Sequence, residues 1–168
     1  SQYFWSGKLT LSMKLLIEAN NLLSLFTGSI RDYRGMKERV KRGYEGEYSN
    51  HIHQYDELGY HLQEKSARFQ LEEFRLDDMQ VLDIGCGTGA LSQVAFEKGA
   101  KGVVCGDISA FMLKEARRKE ITGGGDYHFC QLDAEGLPYK DGSFDAVISG
   151  MTFGTLPKQK LAISEMVR

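Results

Sequence analysis

The chain has 168 residues, 42% hydrophobic and 26% charged, which suits one compact domain or a small domain with an appendage and excludes two ordinary domains or a disordered polymer. Lys and Arg number 21 against 23 Asp and Glu, a formal net charge of -2, so no global field attracts a nucleic-acid backbone and any such contact would be local. The 3 cysteines include no CxxC pair, which argues against a disulfide framework or a thiolate zinc site and fits a reducing, cytoplasmic setting.

Leu11, Leu15, Ala19, Leu22 and Phe26 recur at intervals of three and four and predict a helix over 8–27 that stops at Gly28. Lys14, Glu18, Asn20 and Asn21 interrupt its apolar surface, so no transmembrane segment is expected, nor a signal-peptide cleavage pattern. Met13, Leu16, Ile17 and Leu23 widen the apolar face. Core packing is its ordinary explanation, and a homodimer contact or a lid built from the N-terminal helices is the functional one.

Residues 31–42 carry Arg31, Arg34, Lys37, Arg39, Lys41 and Arg42 against Asp32 and Glu38, a local excess of +4. Such a run is ordinarily a solvated helix face, and an anion site is the alternative. Tyr44 to His51 is polar and aromatic and reads as a loop or short helix. Leu58, Leu62, Phe69, Leu71 and Phe74 suggest one or two further helices. Residues 1–74 therefore read as a helical cap or interface segment.

From Val81 onward the pattern changes. Val81–Ile84, Gly102–Gly106, Tyr127–Leu132 and Phe144–Ser149 read as strands, with helices over Thr88–Lys98, Ser109–Lys119 and Lys158–Val167. This alternation predicts an α/β domain over 75–168 with a mostly parallel sheet. Four such strands alone would leave the one at Phe144–Ser149 on an open edge, which predicts low stability or self-association for the isolated 168 residues.

The most informative segment is Val81-Leu82-Asp83-Ile84-Gly85-Cys86-Gly87-Thr88-Gly89, an apolar strand running into a glycine loop and then a helix. Gly85 and Gly87 allow backbone geometry and ligand approach that a Cβ would obstruct, at the carboxyl end of a strand where such sheets bind ligands. The spacing is GxGxG, whereas the dinucleotide fingerprint is GxGxxG or, since residue 90 is Ala, formally GxGxxA. Asp83 would repel a pyrophosphate and welcome a cationic amine or sulfonium. Asp107, 18 residues after Gly89, ends the second strand where a carboxylate can accept two ribose hydroxyls. Asp133 ends the third, where a carboxylate can accept an exocyclic amine while the next backbone amide donates to a ring nitrogen. Three acids at consecutive strand ends describe a site for adenosine with a cationic tail.

VLDIGCGTG resembles the first motif of class I S-adenosylmethionine-dependent methyltransferases, and VVCGDIS with Met112 resembles the second. QLDAEGLP at Gln131–Pro138 is similar to their adenine motif and FDAVIS at Phe144–Ser149 to their fourth strand. The resemblance implies a Rossmann-like sheet binding S-adenosyl-L-methionine, with S-adenosyl-L-homocysteine as product and a small-molecule methyl acceptor. It implies that Asp83 and Gly85 hold the amino acid end of the cofactor, with Cys86 and Gly87 beside them. It further implies that Asp107 grips the ribose, that Ile108 and Met112 line the adenine, and that Asp133 and Ala134 read its edge. Ser149 and Tyr55 join the same set, Tyr55 through a Tyr-Asp pair in a segment that closes over the cofactor. ISEMVR at Ile163–Arg168 resembles the helix leading into a fifth strand, so the family's fifth to seventh strands lie outside these residues.

Methyl transfer is an in-line displacement that needs alignment and exclusion of water; a general base is optional. Tyr44, Tyr48, His51, His53, Tyr55 and Phe153 are candidates for contacting the acceptor, and none stands out as a base. His51 and His53 do not share a helical face and have no third partner, so no metal is expected. Cys86 has no histidine in a foreseeable geometry, which argues against a covalent role. Two other readings of the glycine loop are a non-catalytic cofactor-binding module and a nicotinamide-dependent oxidoreductase.

Overall fold

The computed structural model describes residues 33–46, 61–119 and 125–168, all within one unit, Asp32–Arg168. The expected helix over 8–27, and with it the expected subunit contact, lies outside the described residues, as do Tyr48, His51, His53 and Tyr55. Helices α1 (Tyr33–Glu45) and α2 (His61–Gln70) precede the sheet. Then follow β1 (Gln80–Ile84), α3 (Ala90–Glu97), β2 (Gly102–Asp107), α4 (Ala110–Arg118), β3 (Asp126–Gln131), β4 (Ala146–Ile148) and α5 (Gln159–Met166). All four strands are parallel, in the order β3-β2-β1-β4.

β1 is central, and Val81, Leu82, Asp83 and Ile84 are 0 to 1% exposed. A parallel strand covered on both faces needs apolar residues in succession, which explains why this segment does not alternate. Val81 packs with Val103 and Cys105 against α2 and α3, through Ala67, Leu91, Val94 and Ala95. Leu82 and Ile84 turn the other way and pack with Leu132, Ala134 and Ala162 of α5. Helices on both faces of a parallel sheet are the expected α/β arrangement.

The helix ends follow local chemistry. α4 begins after Ser109, whose hydroxyl accepts the Met112 amide at 3.3 Å, an N-cap that satisfies one of the free donors of the first turn. α3 begins later than the sequence suggests, because Gly89 is left-handed at φ 91 and Thr88 still belongs to the loop. The fourth strand is shorter than the expected Phe144–Ser149: only Ala146, Val147 and Ile148 pair with β1. Tyr44, at the start of the segment expected as a loop or short helix, lies in the last turn of α1.

Candidate functional site

A cavity of about 650 Å³ opens at the carboxyl ends of the strands. One wall is made by the strand ends and the glycine loop, through Asp83, Gly85, Cys86, Gly87, Asp107, Ile108, Met112, Asp133 and Ala134. This wall holds nine of the eleven residues nominated from the sequence. Of the other two, Tyr55 lies outside the described residues. Ser149 is not on the wall; its hydroxyl donates to the Ile84 carbonyl at 2.7 Å and fastens the end of β4 to the end of β1. Tyr44 lines the cavity from α1, whereas Phe153 is not among its lining residues.

Asp83 is fully buried, and its side chain faces α3 beside Cys105, its register partner on β2. Its Oδ2 accepts the Ser92 hydroxyl at 2.6 Å, and its Oδ1 has no partner. Burial pushes the carboxyl up to about 7, Ser92 pulls it down, and the nearby Asp107 charge pushes it up again. Asp107 is fixed through backbone amides: Gly87 N–H donates to Oδ2 at 2.9 Å and Ser109 N–H to Oδ1 at 2.8 Å. Burial raises its pKa from the usual carboxylate value against those two amides and that of Ile108.

The glycines justify themselves one at a time. Gly85 has φ +70, and a Cβ there would lie 2.1 Å from Thr152 Oγ1. Thr152 Oγ1 in turn lies within 3.1 to 3.4 Å of the Gly150, Gly85 and Ile84 carbonyls. Gly87 has φ +54 and nothing within 4 Å of a Cβ, so its added carbon would project into open space at the cavity wall.

The third acid is held differently. Asp133 Oδ1 accepts the Glu135 amide at 2.9 Å, and Lys37 Nζ of α1 donates to Oδ2 at 2.6 Å. The same ammonium is 2.6 Å from Glu135 Oε2, while Glu135 Oε1 accepts the Lys158 amide at 2.7 Å. Burial opposes the charge on Lys37, but the hydrogen bonds and charges of Asp133 and Glu135 outweigh it and hold the ammonium above its ordinary range. Among the described residues of the basic run, Lys37 stands at the cavity, as the partner of two acids rather than as an open anion site.

α1 adds Lys37, Val40 and Tyr44, at a spacing that puts all three on one helix face. The remaining wall, from α2 and the segment after β4, offers Leu62, Gln63, Ser66, Gln70, Met151 and Thr155 and carries no charge. Ser92, Lys37, Glu135 and Thr152 are the site residues that sequence reasoning did not nominate. Cys86 is buried; its contact with the Cys105 thiol, its burial and the neighbouring carboxylates push its thiol well above the ordinary value, which disfavours the thiolate form that a nucleophile needs. Among the described residues there is no metal-ligating group of three His, Cys, Asp or Glu, and no helix long and apolar enough to cross a membrane.

Residues 81–168 match the model of a methyltransferase domain family. The chain belongs to that family. It is similar to a demethylmenaquinone methyltransferase of Thermus thermophilus, 36% identical over 90 residues, 53% of this chain and 41% of that one. It is also similar to a ubiquinone/menaquinone biosynthesis C-methyltransferase of Pseudomonas paraeruginosa, 41% identical over 93 residues, 53% of this chain and 36% of that one. The chain thus spans about two fifths of the length of these relatives. Among solved structures, magnesium protoporphyrin IX methyltransferase of Synechocystis with bound S-adenosylmethionine superimposes with a TM-score of 0.61 at 22% identity, over 83% of this chain and 72% of that one. At that identity the likeness is one of fold.

Proposed function

We propose that residues 75–168 are the cofactor-binding part of an S-adenosylmethionine-dependent methyltransferase, and that residues 1–74 serve as a helical cap or interface segment. The observation that carries this reading is Asp83: a fully buried carboxylate at the cavity wall, with one oxygen fixed and the other unpaired. An unpaired buried acceptor is costly unless a donor meets it, and the cationic amine of the cofactor is such a donor. Asp107 has both oxygens oriented by backbone amides and retains lone pairs for the two ribose hydroxyls. Gly87 leaves room for close approach of the amino acid end, and Ile108 and Met112 offer an apolar slot for the adenine.

When bound, the cofactor supplies a methyl group on a sulfonium, already activated for displacement. The task left to these residues is to orient it and to keep water away. The uncharged wall of Leu62, Ser66, Gln70, Met151 and Thr155 suits a neutral, partly apolar acceptor. The relatives named for ubiquinone and menaquinone biosynthesis, one of them as a C-methyltransferase, make a carbon of a quinone-type compound the first acceptor to test. The free cysteines support a cytoplasmic setting.

Calorimetry on the full-length protein tests the reading. S-adenosylmethionine and S-adenosylhomocysteine should bind, and NAD should not. Asp107→Asn should weaken both cofactor forms by about 10- to 150-fold, the value of a charge-assisted hydrogen bond. Tight NAD binding, or an Asp107→Asn variant as good as the parent, would remove the support for this assignment.

A further inference from the structure

We propose that Ser92 is a positioning residue for the cofactor: oriented by the Cys105 thiol, its hydroxyl holds Asp83 so that one carboxylate oxygen stays free at the cavity wall. The inference rests on the reading of Asp83 given above. Register brings the parts together. Cys105 of β2 is the direct neighbour of Asp83 of β1, and α3 packs over both strands and lays Ser92 across them. The three side chains are 0% exposed.

A hydroxyl has a single proton to donate. The Cys105 thiol lies 3.2 Å from Ser92 Oγ and donates to it, which leaves the Ser92 proton for Asp83 Oδ2 at 2.6 Å. The relay therefore runs one way, from thiol to hydroxyl to carboxylate, and Oδ1 is left unpaired. Without the Ser92 hydroxyl the carboxylate would lose its side-chain donor, keep only the weaker help of the Ser92 backbone amide, and be free to turn its charge away from the ligand.

The groups around Asp83 set the direction of the effect. Burial opposes its ionisation, Ser92 from α3 favours the charged form, and the Asp107 charge from β2 opposes it again; the buried Cys86 and Cys105 side chains lie beside it. Lys37 from α1 is occupied by Asp133 and Glu135. A carboxyl whose value is raised to about 7 is partly neutral at neutral pH, and a cationic amine binds the charged form. Affinity for an amine-bearing ligand should therefore rise with pH and level off above that value. Removing the Ser92 donor should move this rise to higher pH.

The experiment is calorimetric titration of the full-length protein with S-adenosylhomocysteine at pH 6 and pH 8.5, and with adenosine, which lacks the amine. Ser92→Ala should bind S-adenosylhomocysteine about tenfold more weakly than the parent at pH 6, and within about twofold of it at pH 8.5. Adenosine should bind both proteins alike. Cys105→Ala, which keeps Ser92, should shift the profile the same way by less, and it serves if Ser92→Ala is poorly folded. An equal loss at both pH values, an equal loss for adenosine, or no loss at pH 6 would overturn the positioning role. A parent that does not bind S-adenosylhomocysteine, or whose affinity does not rise with pH, would overturn the assignment of Asp83 to the cofactor amine instead.

Discussion

Two pairs of acids at and beside the cavity, of which Asp83, Asp107 and Asp133 line it, are kept in place by opposite means. Asp83 and Asp107 are fixed by their own neighbourhood: a serine nine residues on, and the amides of Gly87 and Ser109. Asp133 and Glu135 depend on Lys37, which arrives from a helix 96 residues earlier in the chain. The first pair is organised once the β1-loop-α3-β2 unit and the start of α4 have folded. The second is complete only when α1 docks. The comparison teaches that the end of the cavity nearest the glycine loop is rigid by construction, whereas the Asp133 end is coupled to the N-terminal helices.

The largest expected effect breaks the rigid end. Gly85→Ala combines a left-handed backbone, φ +70, with a Cβ only 2.1 Å from Thr152 Oγ1, a side chain held near three carbonyls. Left-handed strain and overpacking together should cost about 2 to 5 kcal/mol in urea unfolding of the full-length protein. Gly87→Ala has backbone strain alone and should cost about 1 to 2 kcal/mol, yet it should weaken the cofactor more than it destabilises the fold, because its Cβ enters the ligand's space. If the two variants lose the same stability, Thr152 does not pin the loop as described.

The second effect breaks the borrowed end. Lys37→Met keeps the stem of the side chain and removes the charge, leaving Glu135, whose side chain is 3% exposed, with the Lys158 amide alone. Breaking one partner of a buried pair is costly, but Lys37 is itself 26% exposed, so the expected loss is about 1 to 3 kcal/mol. Hydrogen exchange should show α1 opening more readily than α3. A variant with unchanged stability and unchanged exchange in α1 would show that α1 is held by packing alone.

The contrast also explains what could be read from the sequence. Asp83, Asp107 and Asp133 are legible because strand ends and glycine loops obey local rules, and their order along the chain is their order around the cavity. Lys37 was one of six basic residues in a run, and helical periodicity cannot say which of them meets an acid 96 residues away. Ser92 was visible only as part of a helix, since its partner across the strand is set by register, which emerges on folding. Tyr44 reads as the start of a polar, aromatic loop or short helix, whereas it belongs to the end of α1, which runs through to Glu45. The fourth strand was overextended at both ends, because Phe144 packs against Tyr139, edge to face at 4.9 Å, instead of continuing the ladder, and Ser149 turns to bond Ile84.

The smallest effect sharpens the comparison with a second charged clip. Arg68 of α2 reaches Glu97 of α3 at 2.7 Å and Glu64 of its own helix at 2.8 Å, so like Lys37 it bridges two acids, although Glu97 alone ties its helix to the α/β core. The difference is exposure: Arg68 and Glu97 are 50% and 39% exposed, whereas Glu135 is nearly sealed. Water competes for both ends of an exposed pair, and salt screens it over a Debye length of about 8 to 10 Å at ordinary ionic strength. The apolar contact of α2 with the core, through Ala67 and neighbouring Leu71, does not involve the charge. Arg68→Ala should therefore leave the unfolding midpoint and cofactor affinity at about 0.15 M salt indistinguishable from the parent, with at most a small loss that appears at low salt. If Arg68→Ala destabilised the protein as much as Lys37→Met, burial of the acid would not be what separates the two clips, and the strength of the α1 contact would need another cause.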